Sequence, residues 1–291
     1  ESSAASDVYK RQLFNFSRPM FNTVGIICKP NDFTSQKTAW ELGVFIKDKG
    51  VTLLEDGDDF EKDADLIVVV GGDGTILNTA RTYVDSNIPI LGVNLGRLGF
   101  LADVPVESMI PIISGILKGE YIKEKRSLLS CQIERNGELI SQHLALNEVV
   151  VHRNETPRMI EFELFVNDDF VNNQRADGII VTTPTGSTAY ALSSGGPIMH
   201  PSTNAICLVS ISPHTMSHRP FILHGESEVL ITLLDCEDRA TISFDAQSAV
   251  SVSVGDVLRV KQHDNFVHLI HPKGYDYFEI IRSKLHWGQK A

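Results

Sequence analysis

The sequence predicts an N-terminal α/β domain with a doubly wound parallel sheet, followed by a C-terminal β-sandwich-like domain. Up to about residue 120, short apolar runs alternate with amphipathic helical patterns, as in parallel sheets whose faces are covered by helices. Beyond about Tyr121, short β-type runs follow one another with few helical patterns between them. The 291 residues are enough for two domains with cores of their own.

Four strand patterns and three helical patterns define the first domain. Leu66–Val70 is an unbroken apolar run, which fits a parallel strand buried on both faces. Gly50 ends the first helical pattern, and the acidic stretch Asp56–Asp65 is expected to be a solvated loop. The strands are predicted at Thr23–Cys28, Val51–Glu55, Leu66–Val70 and Ile90–Asn94, and the helices at Phe33–Lys49, Ile76–Tyr83 and Val106–Lys118.

The second domain consists of short β-type runs with one short helix, predicted at Ser187–Ser193. Asn136-Gly137 lies between two of these runs and is a strong hairpin signal. The strands are predicted at Leu128–Arg135, Leu139–Leu144, Leu146–His152, Met159–Val166, Gly178–Thr183, Ala205–Ser210, Glu228–Leu234, Thr241–Phe244 and Val257–Lys261.

These patterns divide the chain into four segments. Residues 1–20 lack periodicity and are interpreted as a non-native or disordered arm. We expect the α/β domain to span residues 21–123 and the β-rich domain residues 124–273. The tail, residues 274–291, contains the aromatic and apolar stretch Tyr275–Trp287, which we expect to dock back on the first domain.

Composition excludes several classes of function. The formal charge of −11 and the absence of a long basic run argue against a nucleic-acid or anionic-membrane surface. No apolar run approaches the length of a membrane span. The four cysteines are scattered without metal-ligand spacing, which favours a reduced, cytoplasmic protein and gives a zinc site no support.

The glycine-rich turn after Leu66–Val70 is the first candidate site. In Gly71-Gly72-Asp73-Gly74, three glycines allow backbone N–H groups to approach an anion. A carboxylate beside phosphates would repel them, so Asp73 needs a task such as proton acceptance or metal contact. The turn therefore suggests phosphoryl transfer, with an ordinary strand-to-helix turn as the alternative interpretation.

Two further polar segments lie in the second domain. In Asp177–Pro197, hydroxyl groups and a glycine turn open a short helix, and Tyr190 offers a flat face for a nucleobase. Asn147 and Glu148 open a β-branched strand, where they can bind hydroxyl or amide groups. A helix-capping loop and a solvent-facing strand end are the alternative interpretations of these two segments.

Taken together and in this order, the three segments resemble the NAD kinase family. The resemblance covers about Thr23 to Trp287 and extends to the stretch EKRSLL, which is similar to the proteobacterial branch. Further stretches that carry it are Gly92–Asp103, His214–Leu223, Phe244–Gln247 and His271-Pro272-Lys273.

The resemblance implies a role for each matching residue. Asp73 matches the catalytic aspartate, proposed to accept the proton of the adenosine ribose 2′-hydroxyl, and Gly74 is the adjoining backbone contact. An arginine at position 175 accompanies a preference for NAD over NADH in this family. The residues implied to bind the dinucleotide are Asp73, Gly74, Asn147, Glu148, Arg158, Arg175, Asp177, Thr188, Ala189, Tyr190, Ala191, Leu192, Ser193 and Gln247.

The resemblance also implies the reaction and its partners. ATP and NAD would be the substrates, with Mg²⁺ or another divalent cation, and the protein would be a homodimer or homotetramer. No metal ligand is identified by the sequence. A lipid or sphingoid kinase with the same glycine turn and a non-catalytic dinucleotide sensor remain as alternatives. The first would need an apolar tunnel in place of Asn147, Asp177 and Tyr190, and the second would need Asp73 to be silent.

Overall fold

A computed structural model of the chain describes residues 20–55, 57–96, 99–154, 158–237 and 239–288. Within them, the predicted fold class is confirmed, with helices on both faces of one mixed sheet and two antiparallel sheets beyond it. No helix of the described residues has the length and apolar character to cross a membrane.

The first sheet brings together strands from both ends of the chain. Its order is β2-β1-β3-β4-β19-β6, with β5 paired to β4, and β6 runs antiparallel to β19 while the other pairings are parallel. These strands are β1 (Thr23–Cys28), β2 (Thr52–Leu53), β3 (Leu66–Val70), β4 (Ile90–Asn94), β5 (Val104–Pro105), β6 (Tyr121–Arg126) and β19 (Val267–Pro272).

Helices cover both faces of this sheet, so the alternating side chains of β3 enter two separate cores. Leu66, Val68 and Val70 belong to one apolar cluster, and Ile67 and Val69 belong to another. The helices of this part are α1 (Phe33–Asp48), α2 (Phe60–Asp63), α3 (Asp73–Tyr83) and α4 (Met109–Leu117), with short 3₁₀ turns at Val84–Ser86 and Val106–Ser108.

The second part of the chain forms two six-stranded antiparallel sheets that share one apolar core. The Asn136-Gly137 hairpin is confirmed, since both residues have positive φ and connect β7 to β8. One sheet has the order β11-β10-β15-β18-β7-β8, from β7 (Leu129–Arg135), β8 (Glu138–Ala145), β10 (Ile160–Val166), β11 (Asp169–Ala176), β15 (Val229–Asp235) and β18 (Val257–Gln262).

The other sheet contains the candidate site residue Glu148, which opens β9. Its order is β14-β13-β12-β9-β16-β17, from β9 (Glu148–Arg153), β12 (Gly178–Thr182), β13 (Ala205–Ile211), β14 (Phe221–His224), β16 (Ala240–Phe244) and β17 (Ser248–Val252). The short helix predicted at Ser187–Ser193 is a 3₁₀ turn, Gly186–Thr188, followed by one helical turn, α5 (Tyr190–Ser193).

Several expectations need correction. The acidic stretch is not wholly a loop, because α2 lies within it, although Asp56 is outside the described residues. β5, β6, β11, β14, β17 and β19 have no counterpart among the predicted strands. β19 lies in the first sheet, although the sequence places its residues in the second domain. The residue limits of the domains stay a prediction, and the arm at residues 1–20 lies outside the described residues up to residue 19.

The C-terminal tail forms one helix, α6 (Tyr277–Leu285), which packs beside both parts. Tyr277, Ile280 and Ile281 are its buried side chains. The Tyr277 ring meets His200 at a centroid distance of 5.1 Å, and the Lys284 ammonium lies 5.9 Å from the centroid of the Phe100 ring. The tail therefore touches the loop after β4 as well as the segment before β13.

Candidate functional site

The glycine turn leads directly from β3 into α3, whose first residue is Asp73. The Asp73 carboxylate does not point into open solvent. It accepts backbone hydrogen bonds from Phe100 at 2.8 Å, Leu101 at 3.1 Å and Ala102 at 3.1 Å. Gly99 permits this approach, since a Cβ there would overlap the carboxylate. Asp73 thus fixes the loop that follows β4.

The hydrogen bonds leave Asp73 some capacity as an acceptor. An ionised carboxylate has about four lone-pair sites, and the three backbone N–H groups occupy three of them. Among the described residues, Oδ2 accepts only the N–H of Phe100, so its second lone pair remains for a hydroxyl donor. The sequence predicted a task for this acid, and the structure gives it one as a loop anchor beside any chemical role.

The Thr182–Thr188 segment is fastened to the backbone beside Asn147. The Thr183 hydroxyl donates to the Leu146 carbonyl oxygen at 2.6 Å, and the Thr182 hydroxyl donates to that of Asn147 at 3.1 Å. A Cβ at Gly186 would overlap the Asn147 carbonyl, so this close approach requires glycine. The two polar segments of the second part therefore form one surface.

A cavity of about 190 Å³ joins this surface to the glycine turn. Asp73 and the Phe100-Leu101 backbone segment line one side of it, and Asn147 lines the other. The remaining lining residues are Thr185, Thr188 and Ala189. Segments more than seventy residues apart in the chain thus meet around one small space, as the resemblance predicts for Asp73, Asn147 and Thr188.

A second cavity, of about 500 Å³, lies on the far side of the same segments. Glu148, Asp177 and Tyr190 line it. Asn147 and Glu148 are neighbours in sequence, as are Ala189 and Tyr190, and in each pair one member lines each cavity. The other residues that line the 500 Å³ cavity are Val150, His152, Arg153, Asn154, Ile211, Ser243 and Ala246.

Asp177 is held by an ion pair inside the larger cavity. The Arg153 Nε atom lies 2.8 Å from its Oδ1, and both side chains are about one-third exposed. The cavity therefore presents both signs of charge, which suits a ligand with both hydrogen-bond donors and acceptors. Arg153 was not among the predicted site residues.

Glu148 is buried, at 3% exposure, and its Oε2 has no hydrogen-bond partner among the described residues. Burial, together with the nearby negative charge of Asp245, raises the pKa of Glu148 to about 8. The side chain is therefore mostly protonated at neutral pH and can donate as well as accept a hydrogen bond.

We expect Glu148→Gln to stabilise the ligand-free protein above pH 8. Because the folded-state pKa is raised, wild-type stability falls as pH rises from the unfolded pKa, near 4.5, through about 8. Glutamine cannot ionise, so the variant should be more stable at pH 9 by at least about 1 kcal/mol. Thermal unfolding at pH 6 and pH 9 measures this. Equal differences between the two proteins at both pH values would contradict the ionisation of Glu148.

Asp245 forms a junction between the two parts. Its carboxylate accepts backbone hydrogen bonds from Leu146, Asn147 and Glu148 at 3.0, 2.7 and 3.2 Å. Arg81 on α3 donates to it at 2.5 Å. The side chain of Asp245 is completely buried and that of Arg81 is 15% exposed, so the pair is largely removed from water.

Gln247 reinforces this junction. Its side-chain nitrogen donates to the Gly74 carbonyl oxygen at 2.6 Å, and its oxygen accepts from Arg81 at 2.5 Å. Asp245 and Ala246 have positive φ angles, which turn the backbone so that the side chains of Asp245 and Gln247 both face α3. We name Arg81, Asp245 and Gln247 the α3 clasp.

Some predicted residues lie away from both cavities. Arg158 is 77% exposed and pairs with Glu237 at 3.6 Å, and Arg175 is 63% exposed and pairs with Glu161 at 3.7 Å. Their implied contacts with substrate, and the preference attached to Arg175, stay predictions. Ala191 is buried, Leu192 is half-buried and Ser193 is exposed, and none of the three lines either cavity.

Four residues at the site were not predicted from the sequence: Arg81, Arg153, Thr185 and Asp245. The FDAQ stretch was noted as part of the resemblance, but nothing local indicates that its aspartate meets an arginine 164 positions earlier. Thr185 is buried at 7% exposure within Asp177–Pro197, which was predicted as a candidate segment. The available signal for Asp245 was its place directly after a predicted strand, in a position typical of turns.

The described residues provide little for a resident metal ion. No group of three His, Cys, Asp or Glu side chains among them is placed to hold one. Asp245 is already occupied by four N–H donors, and Asp73 keeps one lone pair beside its three. The donor set therefore fits a Mg²⁺ ion that is held mainly by substrate phosphates, with at most one carboxylate from the protein.

Two family models match the chain, that of the ATP-NAD kinase N-terminal domain over residues 54–121 and that of the ATP-NAD kinase C-terminal domain over residues 146–272. An NAD kinase of Hydrogenovibrio crunogenus is 46% identical to the chain over 290 residues, which cover 93% of this chain and 100% of the relative.

Two solved structures have the same fold. The NAD kinase from Archaeoglobus fulgidus in complex with ATP matches with a TM-score of 0.72 at 26% identity, covering 91% of this chain and 98% of that one. Yeast NADH kinase complexed with NADH matches with a TM-score of 0.85 at 24% identity, covering 94% and 90%. At 24% identity, the similarity to the yeast protein supports the fold alone.

Proposed function

The chain belongs to the NAD kinase family, and we propose that its two cavities hold NAD and the groups that react when NAD is phosphorylated. As an NAD kinase, it transfers the γ-phosphoryl group of ATP to the 2′-hydroxyl of the adenosine ribose of NAD, giving NADP and ADP. The residue roles below are our proposal.

Asp73 accepts the proton of the ribose 2′-hydroxyl. The observation that carries this role is the position of Asp73 in the 190 Å³ cavity, opposite Asn147 and beside Thr188. The free lone pair on Oδ2 supports it, because a hydroxyl can donate there without displacing a loop hydrogen bond. Asn147 holds the ribose from the opposite wall.

The rest of NAD lies along the larger cavity. Tyr190 is 46% exposed there and offers its ring for stacking, while Asp177 and Glu148 bind amide and hydroxyl groups. Gly74 adds a backbone contact. The 500 Å³ volume suits part of a dinucleotide, and the rest extends past its open side.

The triphosphate of ATP binds at the glycine turn. Gly72 and Gly74 are exposed, and α3 begins there with the positive end of its dipole and, among the described residues, without a side-chain cap. A divalent cation, which we propose to be Mg²⁺, would bind together with ATP through its phosphates and neutralise part of their charge. The protein's own part is to align the hydroxyl with the phosphate, which supplies most of the catalysis in phosphoryl transfer.

An assay of NADP formation tests this function. The purified chain with ATP, Mg²⁺ and NAD should produce NADP that a coupled NADP-specific dehydrogenase detects. Omitting Mg²⁺ with a chelator should abolish the product, and NADH in place of NAD tests the preference attached to Arg175. Binding of NAD without turnover would instead favour a dinucleotide sensor.

We further propose a cytoplasmic homodimer or homotetramer. No disulfide joins the four cysteines, which supports a reducing compartment. The edge strand β14 exposes Phe221 and Ile222, at 48% and 52%, as an interface strand would in an isolated chain. Light scattering coupled to gel filtration should give a mass of two or four chains, and a monomeric mass would refute this.

A further inference from the structure

A buried chain of charged side chains lies behind the small cavity, outside the residues to which the reaction assigns a role. At its centre, His271 on β19 has its Nδ1 at 2.9 Å from Asp103 Oδ2 and its Nε2 at 3.0 Å from Glu124 Oε2. The exposed fraction of the His271 side chain is 1%. Both ring nitrogens therefore face carboxylates while the ring itself is shielded from bulk solvent.

Arg126 connects Glu124 with Thr185, which lines the small cavity. Its Nε and Nη2 atoms donate to Glu124 Oε2 at 3.0 and 2.7 Å, and its Nη1 donates to Thr185 Oγ1 at 3.3 Å. Arg126 is 2% exposed, among the largest fully enclosed side chains of the described residues. We name Asp103, Glu124, Arg126 and His271 the buried relay, with Thr185 at its end.

The geometry requires a charged imidazole. A neutral histidine has one N–H donor, whereas both His271 nitrogens here face oxygens that only accept when ionised. Burial opposes the charge, but the hydrogen bonds to Asp103 and Glu124 outweigh it and raise the pKa of His271. With the proton present, two carboxylates are balanced by two cations.

The groups facing His271 from neighbouring elements do not disturb this balance. Tyr275 stacks on the imidazole at a centroid distance of 3.9 Å, and burial raises its pKa well above the usual range. Tyr277 on α6 lies near Arg126 and Glu124, and burial raises its pKa as well. Both phenols therefore stay neutral, and Asp103, Glu124 and Arg126 are the charges that His271 meets.

The two ends of the buried relay reach the two walls of the small cavity. Asp103 directly follows Ala102, the last of the three residues whose N–H groups hold Asp73. Thr185 lines the same cavity and precedes the turn that carries Thr188. A shift of the relay would move the proton-accepting aspartate and the dinucleotide-binding turn relative to each other.

We propose that His271 and Arg126 are positioning residues for the phosphoryl transfer, which act by fixing the distance between the loop that holds Asp73 and the turn at Thr185. The inference rests on the proposed function of the site. Apolar packing of equal volume would stabilise the fold at least as well as buried charges. Directional hydrogen bonds, in contrast, fix the separation of two loops, and a misplacement of about 1 Å can cost about 10²-fold in rate.

The first test compares two histidines of the same strand. His271→Gln should lower kcat about tenfold or more and raise the KM for NAD several-fold, as expected for misplaced groups. His268→Gln is the matched control. His268 is half-buried on β19 with an Nδ1 that has no hydrogen-bond partner among the described residues. Its kinetics should stay within twofold of the wild type.

The second test asks whether the effects travel along one chain. Thr185→Val should lower kcat and raise the KM for NAD, each several-fold, because it removes the hydrogen bond that ends the relay. Combined with His271→Gln, it should add nothing further to that KM, since both changes break the same connection. If His271→Gln fails to fold, Arg126→Lys replaces it in the cycle, because it keeps the charge and loses the fork geometry.

The charge of the relay is measured on the wild type. Nitrogen NMR of the protein labelled in its ten histidines should show one ring protonated at both nitrogens at pH 8. Ten neutral rings at that pH, additive KM effects in the double variant, or a His271→Gln enzyme with wild-type kcat and KM would each overturn the proposal. Absence of NADP formation by the wild type would instead refute the proposed function.

Discussion

Asp73→Asn should lower kcat by about 10²- to 10⁴-fold, which is the usual contribution of a general base. The amide cannot take the ribose proton, but it keeps the size of the side chain and one oxygen acceptor. The KM for NAD should therefore change only a few-fold, because the larger cavity, with Glu148, Asp177 and Tyr190, is untouched. Steady-state kinetics with NADP detection measure both quantities.

The loop contacts of Asp73 complicate this variant. Replacing an oxygen with an amide nitrogen sets an N–H₂ group against backbone N–H donors of Phe100 to Ala102, and we expect a stability loss of about 1–3 kcal/mol. Asp65→Asn is the matched control. Asp65 precedes β3 and so lies at the other end of this strand from Asp73. It accepts backbone hydrogen bonds from Asn22 and Thr23 at 2.9 and 3.1 Å.

The control separates stability from chemistry. Asp65→Asn should keep its turnover and most of its stability, because both of its backbone bonds go to one oxygen, which an amide can supply. Asp73→Asn should lose turnover even when it is assayed well below its melting temperature. A folded Asp73→Asn enzyme that retains more than about one-tenth of the wild-type kcat would show that another group accepts the proton.

Local patterns predicted the elements that depend on local physics. The apolar run Leu66–Val70 specified a strand buried on both faces, because an alternating strand would expose one face. The Asn136-Gly137 turn specified its hairpin, because both residues accept positive φ. β19 was different. A short apolar strand does not indicate which sheet it joins, and it pairs with β4 more than 170 residues earlier.

The site shows the same division. Asp73, Asn147 and Thr188 were identified from motifs and do meet at one cavity. The contacts that hold them there were not predicted, because they join residues far apart in the chain, such as Arg81 with Asp245 and Asp103 with His271. Arg158 and Arg175, carried over from the resemblance, lie on the exposed surface. A motif specifies residue types, whereas the tertiary fold decides which side chains face the ligand.

Asp245→Asn should have the second large effect, because it breaks the α3 clasp at its centre. The variant leaves Arg81 without its anion and places an N–H₂ group against the backbone donors of Leu146 to Glu148. Removing one partner of a buried ion pair costs about 3–5 kcal/mol. The Asn147-Glu148 backbone would also shift, so we expect the KM for NAD to rise about tenfold or more.

Asp256→Asn provides the matched control for this variant. Asp256 is also almost fully buried, accepts two hydrogen bonds from Arg135 at 2.8 and 2.7 Å and one from the Ser253 backbone, and lines neither cavity. Its replacement should lower the melting temperature and leave the KM for NAD near that of the wild type. Equal KM values for the two variants would mean that the α3 clasp serves the fold alone.

Titration of Glu148 gives an independent measure of the same clasp. Burial is the main cause of its raised pKa, and the negative charge of Asp245 adds to it. Asparagine at position 245 removes that charge, so the pKa of Glu148 should fall below about 8 while the burial effect remains. The pH dependence of stability should then move to lower pH in Asp245→Asn and not in Asp256→Asn. A simple loss of packing would not produce that shift, because packing does not depend on the charge of a neighbouring carboxylate.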